Sequence, residues 1–236
     1  MSASTPRPIE LVVFDMAGTT VEDHGVVNRC FRDTLAGSGL AVEPEAVDAV
    51  MGLPKPEAFR RLIGASALAD VMAARVSAIH AEFVNRMVEY YEQDAAVREV
   101  PGVAELFAAL RRAGVKVALD TGFSRPIADA IITRLGWNDR GLIDASVTSD
   151  EVANGRPFPD MIERLVELLG ISTPQAVAKV GDAPADLEEG LAARCRWVIG
   201  VTWGTHSRAQ LEKHPHTHLV DTVAELARLL ESGSPS

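Results

Sequence analysis

The hydrophobic residues of this chain follow two spacings, and the change between them divides the chain into three parts. Residues 9–14 form a short, mostly apolar run with β-branched side chains, which predicts a buried strand. From residue 26 to residue 93 apolar side chains recur at helical spacing, without a convincing strand. The clearest apolar stripe of this part comprises Val76, Ile79, Phe83, Met87 and Tyr90. After Pro101 short apolar runs alternate with helical segments, which is typical of a parallel sheet covered by helices.

The alternating runs of the third part predict its strands and helices. The predicted strands are residues 115–120, 143–148, 176–181, 197–201 and 218–220. The predicted helices are residues 103–113, 126–135, 157–169, 184–193, 207–213 and 223–231. Right-handed crossovers then give an α/β fold, a Rossmann-like parallel sheet with helices on both faces. The helical middle part predicts an all-α cap domain, residues 21–98, inserted after the first strand into a core domain of residues 1–20 and 99–236.

Composition and charge narrow the classes of partner. Of the 236 residues, 47% are hydrophobic and 24% are charged, as in an ordinary globular protein. The net charge of −10 opposes binding to nucleic acid or to an anionic membrane surface, and we expect neither as a partner. Cys30 and Cys195 provide no disulfide framework and no zinc-ligand spacing, which favours a reducing, cytoplasmic compartment.

The two ends of the chain and one histidine-rich segment carry weaker signals. Residues 1–8 lack the apolar core of a secretion signal and predict a frayed lead-in, and residues 232–236 predict a disordered tail. The apolar runs are too short to cross a membrane. The segment HPHTH at residues 214–218 lacks matching cysteine or carboxylate spacing, so a surface loop is favoured over a metal site.

Candidate chemistry lies at the carboxyl ends of the predicted strands, where ligands of such sheets bind. Asp15 ends the first strand and opens the loop DMAGTT. A carboxylate there is a nucleophile, a metal ligand or a helix cap. Thr121 and Gly122 offer a hydroxyl and a backbone N–H to a phosphate oxygen, although a simple helix N-cap fits them equally well.

Later segments add a cation and a pair of carboxylates. Arg156 lies in NGRPFPD, where Pro157 is predicted to begin a helix. Its guanidinium matches phosphate oxygens, and the alternative is a solvated surface residue. Asp182 and Asp186 lie four residues apart in VGDAPADLEEG, after a buried strand. Their carboxylates can bind Mg²⁺ or cap the next helix, and Asp15 at a neighbouring strand end favours the metal.

The ordered set of these segments resembles the haloacid dehalogenase superfamily over the whole chain. The matching parts are FDMAGTT around Asp15, a strand that ends in Thr121, a basic residue, and the GDxxxD that contains Asp182. Most phosphatases of that superfamily carry a second Asp two residues after the nucleophile, where it is the general acid for the leaving group. This chain has Ala17 there, which cannot supply a proton, so ordinary phosphate-ester hydrolysis should be badly impaired.

Three departures from the phosphatase pattern together resemble the phosphonoacetaldehyde hydrolases. They are Ala17 within DxAGTT, Arg156 within GRPxP, and Lys55 within M-G-L-x-K, which reads MGLPK from Met51 here. The resemblance implies a Mg²⁺-dependent hydrolase that cleaves the carbon–phosphorus bond of phosphonoacetaldehyde or a related carbonyl phosphonate. It also implies a homodimer that forms through the cap.

The same resemblance implies roles for individual residues. Asp15 attacks phosphorus, and Lys55 forms a Schiff base with the aldehyde, so that the bond electrons pass into an iminium. The metal set that holds Mg²⁺ comprises Asp15, the Ala17 carbonyl, Asp182 and Asp186. The substrate-binding set comprises Met51, Thr121, Gly122 and Arg156.

Some positions depart from the phosphonoacetaldehyde hydrolase pattern itself. That family usually has Tyr at Phe123, His at Ala58 and a Cys near Val26, all of them polar neighbours of the Schiff base. We therefore expect a divergent branch that acts on a related carbonyl phosphonate, or one in which Lys55 is a plain phosphate-binding cation. The first alternative function is a superfamily phosphatase for a small phosphate ester. The second is a non-catalytic binding protein, which would normally have lost Asp15 or Asp182.

Overall fold

The computed structural model describes residues 9–66 and 68–232 of the chain. The predicted lead-in at residues 1–8 and the predicted tail after residue 232 lie outside the described residues. The strands are β1 Leu11–Phe14, β2 Lys116–Thr121, β3 Ala145–Thr148, β4 Val177–Gly181, β5 Trp197–Val201 and β6 His218–Val220. They form one sheet in the order β3-β2-β1-β4-β5-β6, and every pairing is parallel.

Two groups of helices surround this sheet. Between β1 and β2 the chain forms α1 Val26–Gly37, α2 Pro44–Asp48, α3 Lys55–Gly64, α4 Ala69–Met72, a 3₁₀ turn Ala73–Arg75 and α5 Val76–Gln93. The second group comprises α6 Val103–Arg112 before β2 and, after β2, α7 Arg125–Leu135, α8 Asp160–Leu169, α9 Pro184–Ala192, α10 Arg208–Leu211 and α11 Val223–Ser232, with a 3₁₀ turn Pro174–Ala176. α6 lies between the insertion and β2 in sequence. The predicted α/β class, with its parallel sheet and inserted helices, is confirmed.

The central strand β1 is buried on both faces, which explains its continuous apolar sequence. Leu11 and Val13 pack in one cluster with α8, while Val12 and Phe14 face the larger cluster that includes α6. All four side chains are at most 1% exposed. Each such burial contributes about 1.5–3 kcal/mol, so the sheet centre holds the strand ends firmly in place.

The inserted helices pack around three phenylalanine rings. Phe31 on α1 lies 4.6 Å, centroid to centroid, from both Phe59 on α3 and Phe83 on α5. An antiparallel bridge between Val21 and Glu99 joins the chain segments on either side of the insertion. The domain bounds at residues 20 and 99 stay a prediction. None of the described helices is both long and apolar enough to cross a membrane.

Several predicted details are wrong, each for a local reason. α8 begins at Asp160 rather than at Pro157, because the ring of Pro159 disfavours the helical conformation of Phe158, the residue before it. Residues 155–158 form a turn instead, in which the Phe158 N–H donates to the Gly155 carbonyl at 3.2 Å. α10 covers only Arg208–Leu211 of the predicted residues 207–213, and Pro215 lies shortly after it. The apolar stripe of α5 ends at Tyr91 rather than Tyr90, since Tyr91 continues the four-residue step from Met87.

Candidate active site

The sheet register brings three predicted site residues to one edge. Phe14 pairs with Leu119 on one side and with Val180 on the other. Asp15 follows Phe14 directly, and Thr121 and Asp182 lie two residues beyond the two partners, so all three are at the carboxyl ends of adjacent strands. The Asp15 N–H donates to the Val180 carbonyl at 2.9 Å, which fixes the backbone of this carboxylate.

Three buried carboxylates meet at this edge. One oxygen from each of Asp15, Asp182 and Asp186 lies within 4.8 Å of the others. Asp182 accepts the Thr19 hydroxyl at 3.1 Å and the Thr205 N–H at 2.6 Å. Gly18, with φ of +89°, brings its backbone so close to Asp182 that a Cβ there would overlap the carboxylate.

The electrostatics of this cluster favour a cation. Burial raises the pKa of Asp15 to about 7; Arg156 lowers it, and Asp186 and Asp182 raise it. Burial, followed by Asp186, raises the pKa of Asp182 to about 6. Carboxylate oxygens are the ligands that Mg²⁺ prefers, so a hard divalent cation fits Asp15 and Asp182. Asp186 is already engaged, since it accepts the Ala183 N–H at 3.1 Å.

Arg156 is almost fully buried and directs its guanidinium at protein oxygens. Its Nε donates to Glu189 at 3.0 Å and its Nη1 to Asp15 at 2.7 Å. Its Nη2 donates to the Asp120 carbonyl at 2.9 Å and also to the Asp120 carboxylate. Nη1 is also 2.8 Å from Asp186. The residue predicted to bind phosphate oxygens therefore holds one oxygen of the predicted nucleophile, and the surface alternative is wrong.

Behind Arg156 lies a charged cluster that sequence reasoning missed. Lys179 is fully buried on β4 and pairs with Asp120, with Asp186 at 3.1 Å and with Glu189 at 3.1 Å. Burial and Arg156 lower the pKa of Lys179, yet Asp120, Glu189 and Asp186 hold it above its usual value. Burial, then Asp120, raises the pKa of Glu189 to about 8, against the opposing effects of Lys179 and Arg156. The available signal was Lys179 itself, a lone charge inside the apolar strand VAKVG.

Lys55, at the first position of α3, reaches the same site from the inserted helices. It is 4% exposed, and its Nζ lies 4.9 Å from the Phe123 ring centroid and 5.6 Å from that of Phe31. Among the described residues, no carboxylate is close enough to Nζ to form an ion pair. Burial lowers the pKa of Lys55 to about 8, with Asp15 opposing and Arg156 assisting this shift. Roughly a tenth of the amines are therefore neutral at pH 7.

The loop before α3 is docked on the end of β2. The Lys55 N–H donates to the Gly122 carbonyl at 3.2 Å. A Cβ at Gly122 would lie 2.5 Å from the Leu53 carbonyl, so this contact requires glycine. Thr121 turns its Oγ1 back to accept the Phe123 N–H at 3.2 Å. Gly122 therefore binds the cap loop through its carbonyl, and its predicted role for a phosphate oxygen stays a prediction.

A small closed cavity collects most of the predicted site residues. Those that line it are Asp15, Ala17, Met51, Lys55, Thr121, Gly122, Arg156 and Asp182, while Asp186 lies behind. Its volume of about 20 Å³ holds about one water molecule. A groove of about 500 Å³, here called the outer groove, meets this cavity at Met51 and Thr205. A substrate with a phosphoryl group enters the cavity only if the inserted helices move.

Comparisons with known proteins agree with this arrangement. Residues 9–194 match the haloacid dehalogenase-like hydrolase family. The chain is 30% identical to the phosphonoacetaldehyde hydrolase of Bacteroides fragilis, over 97% of this chain and 91% of that protein. A phosphonoacetaldehyde hydrolase-like protein from Oleispira antarctica has a similar structure, with a TM-score of 0.82 at 23% identity over 99% of this chain and 96% of that one. CbbY of Rhodobacter sphaeroides, in complex with xylulose-(1,5)bisphosphate, has a TM-score of 0.77 at 24% identity, over 92% and 96% of the two chains.

Proposed function

The chain belongs to the haloacid dehalogenase-like hydrolase family, in its phosphonoacetaldehyde hydrolase-like branch, and on that premise we propose that it cleaves the carbon–phosphorus bond of a carbonyl phosphonate. One observation carries the proposal. A buried amine without a carboxylate partner, Lys55, lines the same small cavity as the carboxylate of Asp15. Cleavage of an aldehyde phosphonate needs such an amine to form an imine, whereas hydrolysis of a phosphate ester does not require one.

The missing acid at residue 17 fits carbon–phosphorus chemistry. A carbon leaving group has no lone pair that a general acid could protonate at the moment of cleavage, so Ala17 is no handicap. The amine of Lys55 condenses with the carbonyl to an iminium and releases water. When Asp15 attacks phosphorus, the electron pair of the carbon–phosphorus bond passes into the iminium and leaves an enamine. Water then releases phosphate from Asp15 and acetaldehyde from Lys55.

Mg²⁺ is the proposed cofactor. Asp15, the Ala17 carbonyl and Asp182 would hold it, and it would offset the negative charge of the phosphonyl group. The raised pKa values of Asp15 and Asp182 support this assignment, because carboxylates crowded in a buried space favour a cation. Asp186 supports the set from behind through its contacts with Arg156 and Lys179.

Arg156 has a positioning role in this proposal. Its Nη1 holds Oδ1 of Asp15, so the other carboxylate oxygen is the one that attacks. The guanidinium contacts a phosphonyl oxygen only after it gives up one of its protein acceptors. Thr121 and Gly122 remain the proposed contacts for the other phosphonyl oxygens, and Met51 packs beside them in the cavity wall. Closure of the inserted helices excludes water from the iminium.

Reductive trapping tests the function. Wild-type protein is incubated with Mg²⁺ and phosphonoacetaldehyde, borohydride is added, and mass spectrometry locates the adduct while phosphate release is assayed. We expect an adduct on Lys55 together with phosphate release, and neither in Lys55→Arg. Asp15→Asn is the matched control, since it should retain the adduct and lose phosphate release. A wild-type chain without an adduct on Lys55 contradicts the proposed function.

A phosphatase for a small phosphate ester is the second candidate. The fold likeness to CbbY and the apolar residues Phe123 and Ala58 beside Lys55 favour it. In that case Lys55 would contribute only positive charge. Ester turnover that persists in Lys55→Met, without any trapped adduct in the wild type, would select this candidate.

A further inference from the structure

The carboxyl group of Asp23 is bonded to a residue that lines the catalytic cavity. Asp23 lines the outer groove, and it accepts the Val27 N–H at 2.9 Å in the first turn of α1. Val27 itself lines the cavity that contains Lys55. The hydrogen bond to the helix start therefore fixes the carboxyl in the groove, at the residue through which α1 contributes to the cavity wall.

Condensation of an amine with an aldehyde needs a group that moves a proton. The carbinolamine that forms first loses hydroxide very slowly, and protonation by a nearby acid turns this leaving group into water. The charged groups with the largest effects on the pKa of Lys55 are four, namely Asp15, Arg156, Asp23 and Asp182. Asp15, Arg156 and Asp182 belong to the phosphorus and metal side of the site. Asp23 alone among the four has no such role.

We propose that Asp23 is the catalytic acid–base residue for the Lys55 imine, reached by the carbonyl end of the substrate from the outer groove. This inference rests on the proposed carbon–phosphorus cleavage. Burial raises the pKa of Asp23, with the Val27 N–H and Lys55 opposing the shift, and this keeps a proton available closer to neutral pH. A carboxyl group has several lone-pair sites, so the bond to Val27 leaves room for a substrate oxygen.

Asp23 gives up one proton during imine formation and recovers one during imine hydrolysis. Neutral Lys55 adds to the carbonyl carbon, and its proton passes to the carbonyl oxygen to give a carbinolamine. Protonated Asp23 then donates to the hydroxyl, water leaves, and a protonated imine and the Asp23 carboxylate remain. After carbon–phosphorus cleavage, the enamine gains on carbon the proton released when water hydrolyses the aspartyl phosphate, and Asp23 takes one from the water that hydrolyses the imine. No oxidant or reductant is needed.

The test measures how fast the Lys55 adduct forms. Wild type, Asp23→Asn and Asp23→Ser are mixed with phosphonoacetaldehyde and Mg²⁺, quenched with borohydride at set times, and analysed by mass spectrometry. Both replacements keep an oxygen for the Val27 N–H, so the helix start is preserved, and melting temperatures check the fold. Asp48→Asn is the matched control, because Asp48 lines the same groove and its substitution removes the same charge.

The expected result is adduct formation at least about 100-fold slower in both Asp23 variants, at unchanged melting temperature. Asp48→Asn should stay within about threefold of the wild type. Adduct formation in either Asp23 variant at the wild-type rate overturns the role of Asp23 while the proposed function stands. A wild type that forms no adduct on Lys55 overturns both.

Discussion

Two lysines near Asp15 are both buried, but they differ in their neighbours and in the direction in which their pKa is shifted. Lys179, behind the site, contacts Asp120, Asp186 and Glu189. Lys55, in front of it, faces the rings of Phe31 and Phe123. The pKa of Lys179 is raised and that of Lys55 is lowered to about 8, although both side chains are removed from water.

Burial alone therefore does not decide whether a lysine amine is charged. Desolvation disfavours the ammonium form in both places, and the carboxylates at about 3 Å from Lys179 reverse the outcome there. The fold therefore keeps one amine permanently charged and the other partly free to react. Replacing Lys55 should change the reaction rate, whereas replacing Lys179 should change the free energy of unfolding.

The largest effect is expected from Lys55→Met, measured on the reaction. This change removes the amine, so adduct formation and phosphate release from phosphonoacetaldehyde should both be lost. The free energy of unfolding should stay the same or rise, because a buried ammonium without a partner destabilises the fold at every pH below its unfolded pKa. Urea denaturation checks this, and a loss of several kcal/mol would show that Lys55 is paired.

Lys179→Met should mainly lower the free energy of unfolding. It leaves Asp120, Asp186 and Glu189 with less countercharge in a water-free space, and breaking such a buried network costs about 3–5 kcal/mol. Urea denaturation of this variant beside Lys55→Met measures the contrast. Equal stability of the two variants would contradict it.

Added Mg²⁺ should bind to Asp15 and Asp182 rather than to Asp120 and Glu189. Asp15 and Asp182 lack a lysine partner, whereas Asp120 and Glu189 have Lys179. A ligand at 100 times its dissociation constant stabilises the folded state by about 2.7 kcal/mol, which raises the melting temperature. We expect that rise in the wild type and little of it in Asp182→Asn. An equal rise in both would place the ion elsewhere.

The smallest expected effect is the pH dependence of the reactive amine. The pKa of Lys55 is lowered to about 8, so the neutral form grows from roughly a tenth at pH 7 to most of the population at pH 9. In Asp23→Asn, which has no carboxylic acid at that position to lose its proton over this range, the initial rate of adduct formation should therefore rise by about tenfold. An amine with the ordinary pKa near 10.4 would show the rise at higher pH. Stopped-time borohydride quenching measures the profile, and a flat profile would indicate that another step limits the rate.

Much of the fold and the front of the site could be predicted from the sequence. The β-branched runs and the helical spacing after them correctly predict the sheet and the insertion. The strand ends place Asp15, Thr121 and Asp182 together, because parallel strands bring such positions to one edge. Tyr91 shows the limit of this reasoning, since one residue in the register of α5 decides which aromatic ring is buried.

The charged cluster around Lys179 could not be predicted from the sequence, for a physical reason. A charged residue in an apolar strand is compatible with an exposed position or with a buried pair, and only the three-dimensional register tells which. Asp120 and Lys179 lie on β2 and β4, which flank β1 rather than each other. The contacts of Arg156 join Asp120 of β2 to Glu189 of α9. No spacing along the chain expresses that geometry.

The hydrogen bond between the Lys55 N–H and the Gly122 carbonyl has a consequence for how new specificities arise. The bond joins the backbone of Lys55 to the segment that follows β2, and no side chain takes part. In the proposed mechanism, substitutions from Met51 to Pro54 would change the space around the carbonyl part of the substrate and leave this backbone connection in place. Substrate specificity would then diverge through one short loop.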